Sequence, residues 1–393
     1  MISKNIFKKI SIFLGLLAIF FVLLFLSKPA QAPVIPNKNK FEIQNSKPEI
    51  EYTTLFFAGD IMLSRNVENK MSKANPPATQ DSLLALRAGD YTLPFKNVSS
   101  EISASDIAIG NLESPFNDKG KYFVENSLVF NADPKSIEGL KYAGFDILSL
   151  ANNHTLDQGI KGLDFTIQYL IDNGIIPTGA INSKNEVKLP TIEKNGLIFG
   201  FLSYSYAGLN DGGPPAGEAG KTVSKYVNNF NDLDKLKQDI LSMKGHTADI
   251  VIISMHAGIE YTRMPSPAQI AFAHAAIDAG ADLVIGHHPH WIQPVERYND
   301  KWIFYSLGNF VFDQMWSQDT REGLTVFITY ENEHIPDPLN QSAGENRITI
   351  KKIELKPIII EDYCCPRWAD SAESLKILGK IGLTSPLLLD KNE

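Results

Sequence analysis

The sequence has almost no cysteine: two in 393 residues, adjacent as Cys364 and Cys365. A bond between neighbours would be strained and could not tie distant elements together, so neither a disulfide framework nor a cysteine-based zinc site is expected. The pair reads as incidental thiols. An excess of positive charge is also lacking. Lys and Arg number 37 against 45 Asp and Glu, a formal net charge of −8, and no dense basic stretch occurs outside the N-terminus. This argues against nucleic acid as a partner. There are no internal repeats. The G-x-S-x-G elbow, the P-loop and the G-x-G-x-x-G fingerprint are absent as well, so Ser-His-Asp hydrolysis and dinucleotide chemistry have no support.

Long apolar runs are missing from the body of the chain, and one stands at its start. Lys4, Lys8 and Lys9 precede an uninterrupted run from Ile10 to Leu26. Its length lies at the lower edge of what spans a bilayer and is slightly long for a secretory segment. Ala30-Gln31-Ala32 offers a cleavage site; the run's length and the single lysine after it suit an uncleaved anchor. Both readings put residues 1–9 in the cytoplasm and the body outside, either membrane-anchored or secreted after cleavage near Ala32. Residues 27–50, rich in Pro, Lys, Asn and Gln, read as a flexible linker.

What is present suits a globular protein with a substantial core: 44% hydrophobic and 21% charged residues. From Glu51 onward, apolar runs short enough for strands alternate with helical patterns, which implies an α/β body. Helices are expected over 134–143, 161–173, 224–243 and 266–279. Asn195-Gly196 marks a hairpin within 191–203. Residues 208–220 and 331–346 read as loops, and 347–360 as two strands around Pro357. The body is taken as 51–363, and 364–393 as a short helix and a loose tail. His246 and His334 read as loop residues, and His274 as lying on a helix face.

Five apolar runs end in polar, metal-capable residues: 55–60, 107–113, 146–154, 249–260 and 282–290. Each is rich in Leu, Ile, Val or Phe, as strands buried on both faces are. Side chains leaving the carboxyl ends of neighbouring strands converge where open α/β sheets bind ligands. Asp60, Asn111, Glu113, Asn153, His154, His256, His288 and His290 therefore have the means to share one site. His288 and His290, at i and i+2 on a proline-fixed turn, can face one ion of zinc, manganese or iron. His287 should point away from them by strand alternation. Asp157 lies three residues after His154, and Glu260 four after His256. Arg65 is either a holder of anionic substrate or a surface arginine. The residue types favour a water molecule activated by a divalent ion.

Six segments in order, GDIML (59–63), GNLESP (110–115), NNHTLDQG (152–159), HAGIEY (256–261), GHHPH (286–290) and YSLGNFVFDQ (305–314), resemble the CapA family of poly-γ-glutamate capsule synthesis proteins. The resemblance covers roughly residues 53–330. It implies a variant of the calcineurin-like metallophosphoesterase fold, a layered αββα sandwich. It also implies metal ligation by Asp60, Asn111, Glu113, Asn153, His256, His288 and His290, with one or two ions. His154 and Asp157 would be catalytic, and Arg65, Glu260 and Asn309 would contact substrate. The chain departs from the wider metallophosphoesterase pattern in three places. Met62 stands where a histidine ligand is usual, Asn111 where an aspartate bridges two metals, and Thr155 where an acid follows the histidine. The implied role is synthesis or export of an anionic polymer such as poly-γ-glutamate, in company with a membrane synthase. Hydrolysis of a phosphoester or γ-glutamyl amide, a phosphoesterase activity unrelated to capsule, and a non-catalytic polymer-binding scaffold all remain open.

Overall fold

The computed structural model describes residues 49–74, 89–117, 129–184, 189–206, 228–246, 248–336 and 344–389. Its first strand, β1 (Glu49–Ile61), is buried on both faces from Leu55 onward, as a central strand must be. The strands β2 (Ile107–Leu112), β3 (Ile147–Ser149) and β4 (Ile176–Thr178) follow it in parallel, each paired with the one before. A second sheet begins with the hairpin of β5 (Thr191–Lys194) and β6 (Leu197–Ser205). Its turn is Asn195-Gly196, both residues at positive φ (48° and 69°), the conformation a tight two-residue hairpin needs.

The second sheet continues through β7 (Ile250–His256) and β8 (Leu283–His287), then β9 (Val295–Tyr298) and β10 (Lys301–Phe304), in the order β5-β6-β7-β8-β10-β9. The chain then returns to the first sheet with β11 (Asn309–Val311), β12 (Glu322–Pro336), β13 (Gly344–Glu361), β14 (Cys365–Trp368) and β15 (Leu387–Leu389). That sheet runs β14-β13-β12-β1-β2-β3-β4, with β11 on β1 and β15 on β13.

Eight α-helices are described: α1 (Arg65–Lys73), α2 (Ser99–Ser103), α3 (Ile137–Ala143), α4 (Gly159–Asp172), α5 (Leu233–His246), α6 (Pro267–Asp278), α7 (Gln318–Arg321) and α8 (Ser371–Gly379). Gly144 ends α3 at φ 88°, and a capping box from Ser266 and Gln269 starts α6. One apolar cluster, including Phe57, Ile109, Phe199, Ile252 and Ile285, fills the space between the two sheets. Phe95, Leu140, Leu163 and Leu170 pack on the outer face of the first sheet, and Leu236, Ile240, Phe272 and Ala276 on that of the second. The layers are thus helix, sheet, sheet, helix, in a mixed α/β fold.

Several expectations are corrected. The helix expected from 224 begins at Leu233. Of the irregular stretch expected over 331–346, the described residues 331–336 and 344–346 belong to β12 and β13, and the two strands expected around Pro357 are one strand of 18 residues. Proline removes a single ladder donor there, while its carbonyl still accepts from the Ala369 amide at 3.0 Å. His334 lies in β12, not in a loop. The segment after 364 holds the short helix expected there, α8, packed on the core by Ile377 and Leu378, and its strands β14 and β15 pair with β13 of the first sheet. Cys364 and Cys365, expected as free thiols, form a disulfide. Among the described residues no helix is long and apolar enough to cross a membrane; the run 10–26 and the loop 208–220 lie outside them.

Candidate metal centre

Strand register brings the site together. In the first sheet Asp60 pairs with Asn111 of β2 and Asn309 of β11; in the second, His256 pairs with His287. Gly59 permits the approach, because a Cβ there would lie 2.0 Å from the Gly308 carbonyl oxygen. The next amide, of Asp60, donates to that same oxygen at 3.0 Å. Asp60 is then fully buried. Its Oδ1 accepts from Asn111 Nδ2 at 2.9 Å and lies 3.5 Å from His287 Nδ1; its Oδ2 lies 3.3 Å from His290 Nδ1. Burial opposes its ionisation, but hydrogen bonds and charge from His287 and His290 outweigh burial and hold its pKa well below the usual range.

Glu113 has the opposite environment. It too is fully buried, yet among the described residues neither carboxylate oxygen has a hydrogen-bond partner. The nearest basic atoms are His154 Nε2 at 3.7 Å and His290 Nε2 at 3.9 Å from Oε1. Burial, followed by the charges of Asp60 and Glu260, raises its pKa well above the usual carboxylate value, and Arg65 acts against the rise. A carboxylate buried without partners costs several kcal/mol unless a cation meets it, on the order of the penalty for any isolated buried ion. Asp60, Glu113 and His290 each bring one ligand atom to within 4.8 Å of the others. A mixed set of carboxylate oxygen and imidazole nitrogen suits manganese, zinc or iron. The residues fit a divalent ion.

The orientation of His290 is set from below. Asn309 Nδ2 donates to the Thr320 carbonyl at 2.8 Å and to Gln314 Oε1 at 3.1 Å. A carbonyl only accepts, so Asn309 Oδ1 must face His290 Nδ1, 2.8 Å away, and that nitrogen carries the proton. The lone pair of Nε2 is left for the centre. Asn309, expected to contact substrate, is fully buried, with both amide hydrogens donated and its oxygen facing His290. His288 and His290 both hold positive φ (98° and 57°), a backbone that non-glycine residues rarely adopt. The turn separates the two rings by 6.2 Å and brings His288 to 4.8 Å from His256 instead. His287 does not point clear of the site as strand alternation suggested, since it meets Asp60.

His154 Nδ1 hydrogen-bonds Asp157 Oδ2 at 2.7 Å, and that oxygen also accepts from the Phe130 amide at 2.6 Å. Phe130 stacks on the His154 ring at 3.8 Å between centroids. Asn153 Oδ1 lies 2.8 Å from His256 Nε2, and Asn111 Nδ2 lies 3.2 Å from His256 Nδ1. Burial and the charge of His288 depress the His256 pKa, and burial with His290 depresses that of His288 to about 4. His288 Nδ1 is buried with no hydrogen-bond partner among the described residues.

At the rim, Arg65 forms an ion pair with Asp313 and lies over the Phe130 ring at 4.7 Å. Glu260 is exposed beside Tyr261, whose ring stacks on His290 at 5.8 Å. Asn152, Phe130 and Asp313 were not singled out from the sequence. Asn152 and Asp313 lie inside the six ordered segments; Phe130 carries no polar signal that could have marked it.

A family model described as bacterial capsule synthesis protein PGA_cap matches residues 54–314. The capsule biosynthesis protein CapA of Bacillus anthracis is 31% identical over 317 residues, covering 76% of this chain and 72% of that protein. The PGA biosynthesis protein CapA of Bacillus subtilis (strain 168) is 32% identical over 317 residues, covering 76% of each. Among solved structures, a hypothetical protein from Thermus thermophilus aligns with a TM-score of 0.39 at 16% identity, covering 76% of this chain and 99% of that one.

Proposed function

The chain belongs to the bacterial capsule synthesis protein PGA_cap family, and from that premise we propose that it serves synthesis of a poly-γ-glutamate-type capsule through a metal-dependent hydrolase site of metallophosphoesterase-like architecture. The observation that carries the catalytic part is Glu113: a buried carboxylate with no hydrogen-bond partner among the described residues, beside Asp60 and His290. Two carboxylates and an imidazole, gathered at strand ends between two sheets, form the donor set for a divalent ion. When bound, such an ion supplies Lewis acidity and lowers the pKa of water.

The chain's own residues do the rest. Asp60 and Glu113 supply negative oxygen, and His290 supplies Nε2 because Asn309 holds the proton on Nδ1. Asp157 holds Nδ1 of His154, which turns Nε2 of His154 toward the Glu113 side of the centre. From there His154 Nε2 can protonate a leaving group of a phosphoester or γ-glutamyl amide. Phe130 covers the face of that ring and excludes water from it. The ion pair with Asp313 and the Phe130 ring hold Arg65 at the rim.

The proposal includes an extracytoplasmic body, tethered by residues 10–26 or released by cleavage near Ala32, and an anionic polymer and a membrane synthase as partners. The lysines ahead of Ile10 support the orientation.

The test is metal content of the purified protein, followed by hydrolysis assays on phosphoesters and γ-glutamyl amides. Near-stoichiometric manganese, zinc or iron in wild type, lost in His290→Ala and Glu113→Gln, is the expected result. Absence of metal from wild type after reconstitution with all three would sink the catalytic reading.

A further inference from the structure

We propose that the centre holds one divalent ion, at Asp60, Glu113 and His290, and that Asn111 shuts His256 out of ion binding by fixing its tautomer. The proposal rests on the metal reading above and deepens it.

Two backbone groups fix the Asn152 amide. Asn152 Nδ2 donates to the Leu112 carbonyl at 2.8 Å, and Asn152 Oδ1 accepts from the His154 amide at 3.1 Å. Neither backbone group can exchange roles, so the Asn152 amide has one orientation. Its Nδ2 also faces Asn111 Oδ1 at 3.2 Å. Asn111 must therefore present oxygen to Asn152 and nitrogen to Asp60 Oδ1, at 2.9 Å. That same nitrogen faces His256 Nδ1 at 3.2 Å.

A donor facing Nδ1 requires Nδ1 to accept. The proton of neutral His256 then sits on Nε2, where it donates to Asn153 Oδ1 at 2.8 Å. Every donor from Leu112 to Asn153 meets an acceptor, and the chain is closed. His256 has no lone pair left toward the centre, and its Nε2–H occupies one lone pair of the Asn153 oxygen. His290 is the contrasting case, because its partner Asn309 presents oxygen and so leaves Nε2 free.

To admit a second ion at His256 and Asn153, Asn111 would have to turn over, breaking its bonds to Asp60 and Asn152. Two buried hydrogen bonds lost in this way weaken that ion by about 100-fold. A carboxylate at position 111 would behave differently. It would still accept from Asn152 Nδ2 and would accept from His256 Nδ1–H, releasing the Nε2 lone pair. It would also stand against Asp60 as a like charge that a cation relieves.

The experiment measures bound manganese per chain after dialysis, in wild type and in Asn111→Asp, together with the electron paramagnetic resonance spectrum of each. Wild type should retain close to one ion with an uncoupled spectrum, and Asn111→Asp close to two with exchange coupling. A second measurement, independent of how the variant folds, uses metal-free wild type labelled with 15N-histidine. Its long-range proton–nitrogen correlations should show His256 protonated on Nε2. Two ions in wild type, one ion in a folded Asn111→Asp, or an Nδ1-protonated His256 would each overturn the proposal. No ion in wild type would overturn the metal reading itself and this proposal with it.

Discussion

His154 Nδ1 lies 2.7 Å from Asp157 Oδ2, three residues on in the same turn, and the same carboxylate oxygen accepts from the Phe130 amide. One oxygen thereby fixes both the tautomer of a histidine and the position of the aromatic ring stacked upon it. His154 is not among the three residues whose ligand atoms converge, so its removal should separate proton transfer from metal binding. His154→Gln is expected to keep its metal and to lose about 10²- to 10⁴-fold in kcat, the usual worth of a general acid. Metal analysis beside turnover checks this. Equal loss of metal and activity would instead place His154 among the ligands.

Glu113 makes stability depend on pH in a specific direction. Its folded pKa is raised above the ordinary value of 4.5, so the folded state retains a proton that the unfolded chain gives up. Stability that is fully present below about 4.5 is therefore lost as pH rises from there toward the folded pKa, in metal-free protein. Depressed His256 and His288 act the other way, costing stability below about 6.5. Comparing wild type with Glu113→Gln largely cancels them. The difference in unfolding free energy should grow with pH in favour of the glutamine variant, reaching about 1–3 kcal/mol near neutrality. Adding metal should reverse the order. A pH-independent difference without metal would mean that Glu113 is solvated or already paired.

Asn309 offers a test of ligand orientation without touching a ligand. Asn309→Leu removes the oxygen that faces His290 Nδ1 and strands the Thr320 carbonyl. Loss of such an orienting partner weakens metal binding about 10- to 100-fold. The stranded carbonyl should lower stability by ~1–3 kcal/mol. Chelator competition gives the first quantity and denaturant unfolding the second. Stability lost with metal affinity unchanged would show that the Asp60 contact alone orients His290.

The parts of this architecture legible in the sequence are those where burial on both faces leaves a continuous apolar run. The strands that carry Asp60, Asn111, His256 and His287 at or next to their last residues are of that kind, and their polar ends do converge. The long hairpin of β12 and β13 was hidden for a physical reason. Its outer half is exposed and polar, and a register shift between Thr329 and Tyr330 breaks the alternation that a reader counts. Within the site, residue type showed which side chains were able to bind a metal but not which way each amide turns. Asn111 and Asn309 are the same residue beside the same strand, yet one presents nitrogen to its histidine and the other oxygen. That difference comes from the Leu112 and Thr320 carbonyls, backbone groups that sequence does not distinguish. The left-handed turn at His288 was equally invisible, and it sends His288 toward His256 rather than toward His290.

Arg65 was open to two readings, and its pairing with Asp313 yields a prediction that separates structural from substrate contact. Asp313 is almost fully buried, its side chain 5% exposed, while Arg65 is 24% exposed. Removing the arginine leaves a buried carboxylate whose remaining hydrogen-bond donor among the described residues is the Asn66 amide. Arg65→Met should therefore cost ~1–3 kcal/mol, less than for a fully buried pair because water reaches the guanidinium. In the double variant with Asp313→Asn the stranded charge is gone, so part of the cost should return, with a coupling of ~1–2 kcal/mol. Denaturant unfolding of the four proteins in the cycle measures it. Strict additivity would mean that the pair contributes nothing to stability. A loss of substrate affinity in Arg65→Met that persists in the double variant, where stability is regained, would assign the guanidinium to substrate as well.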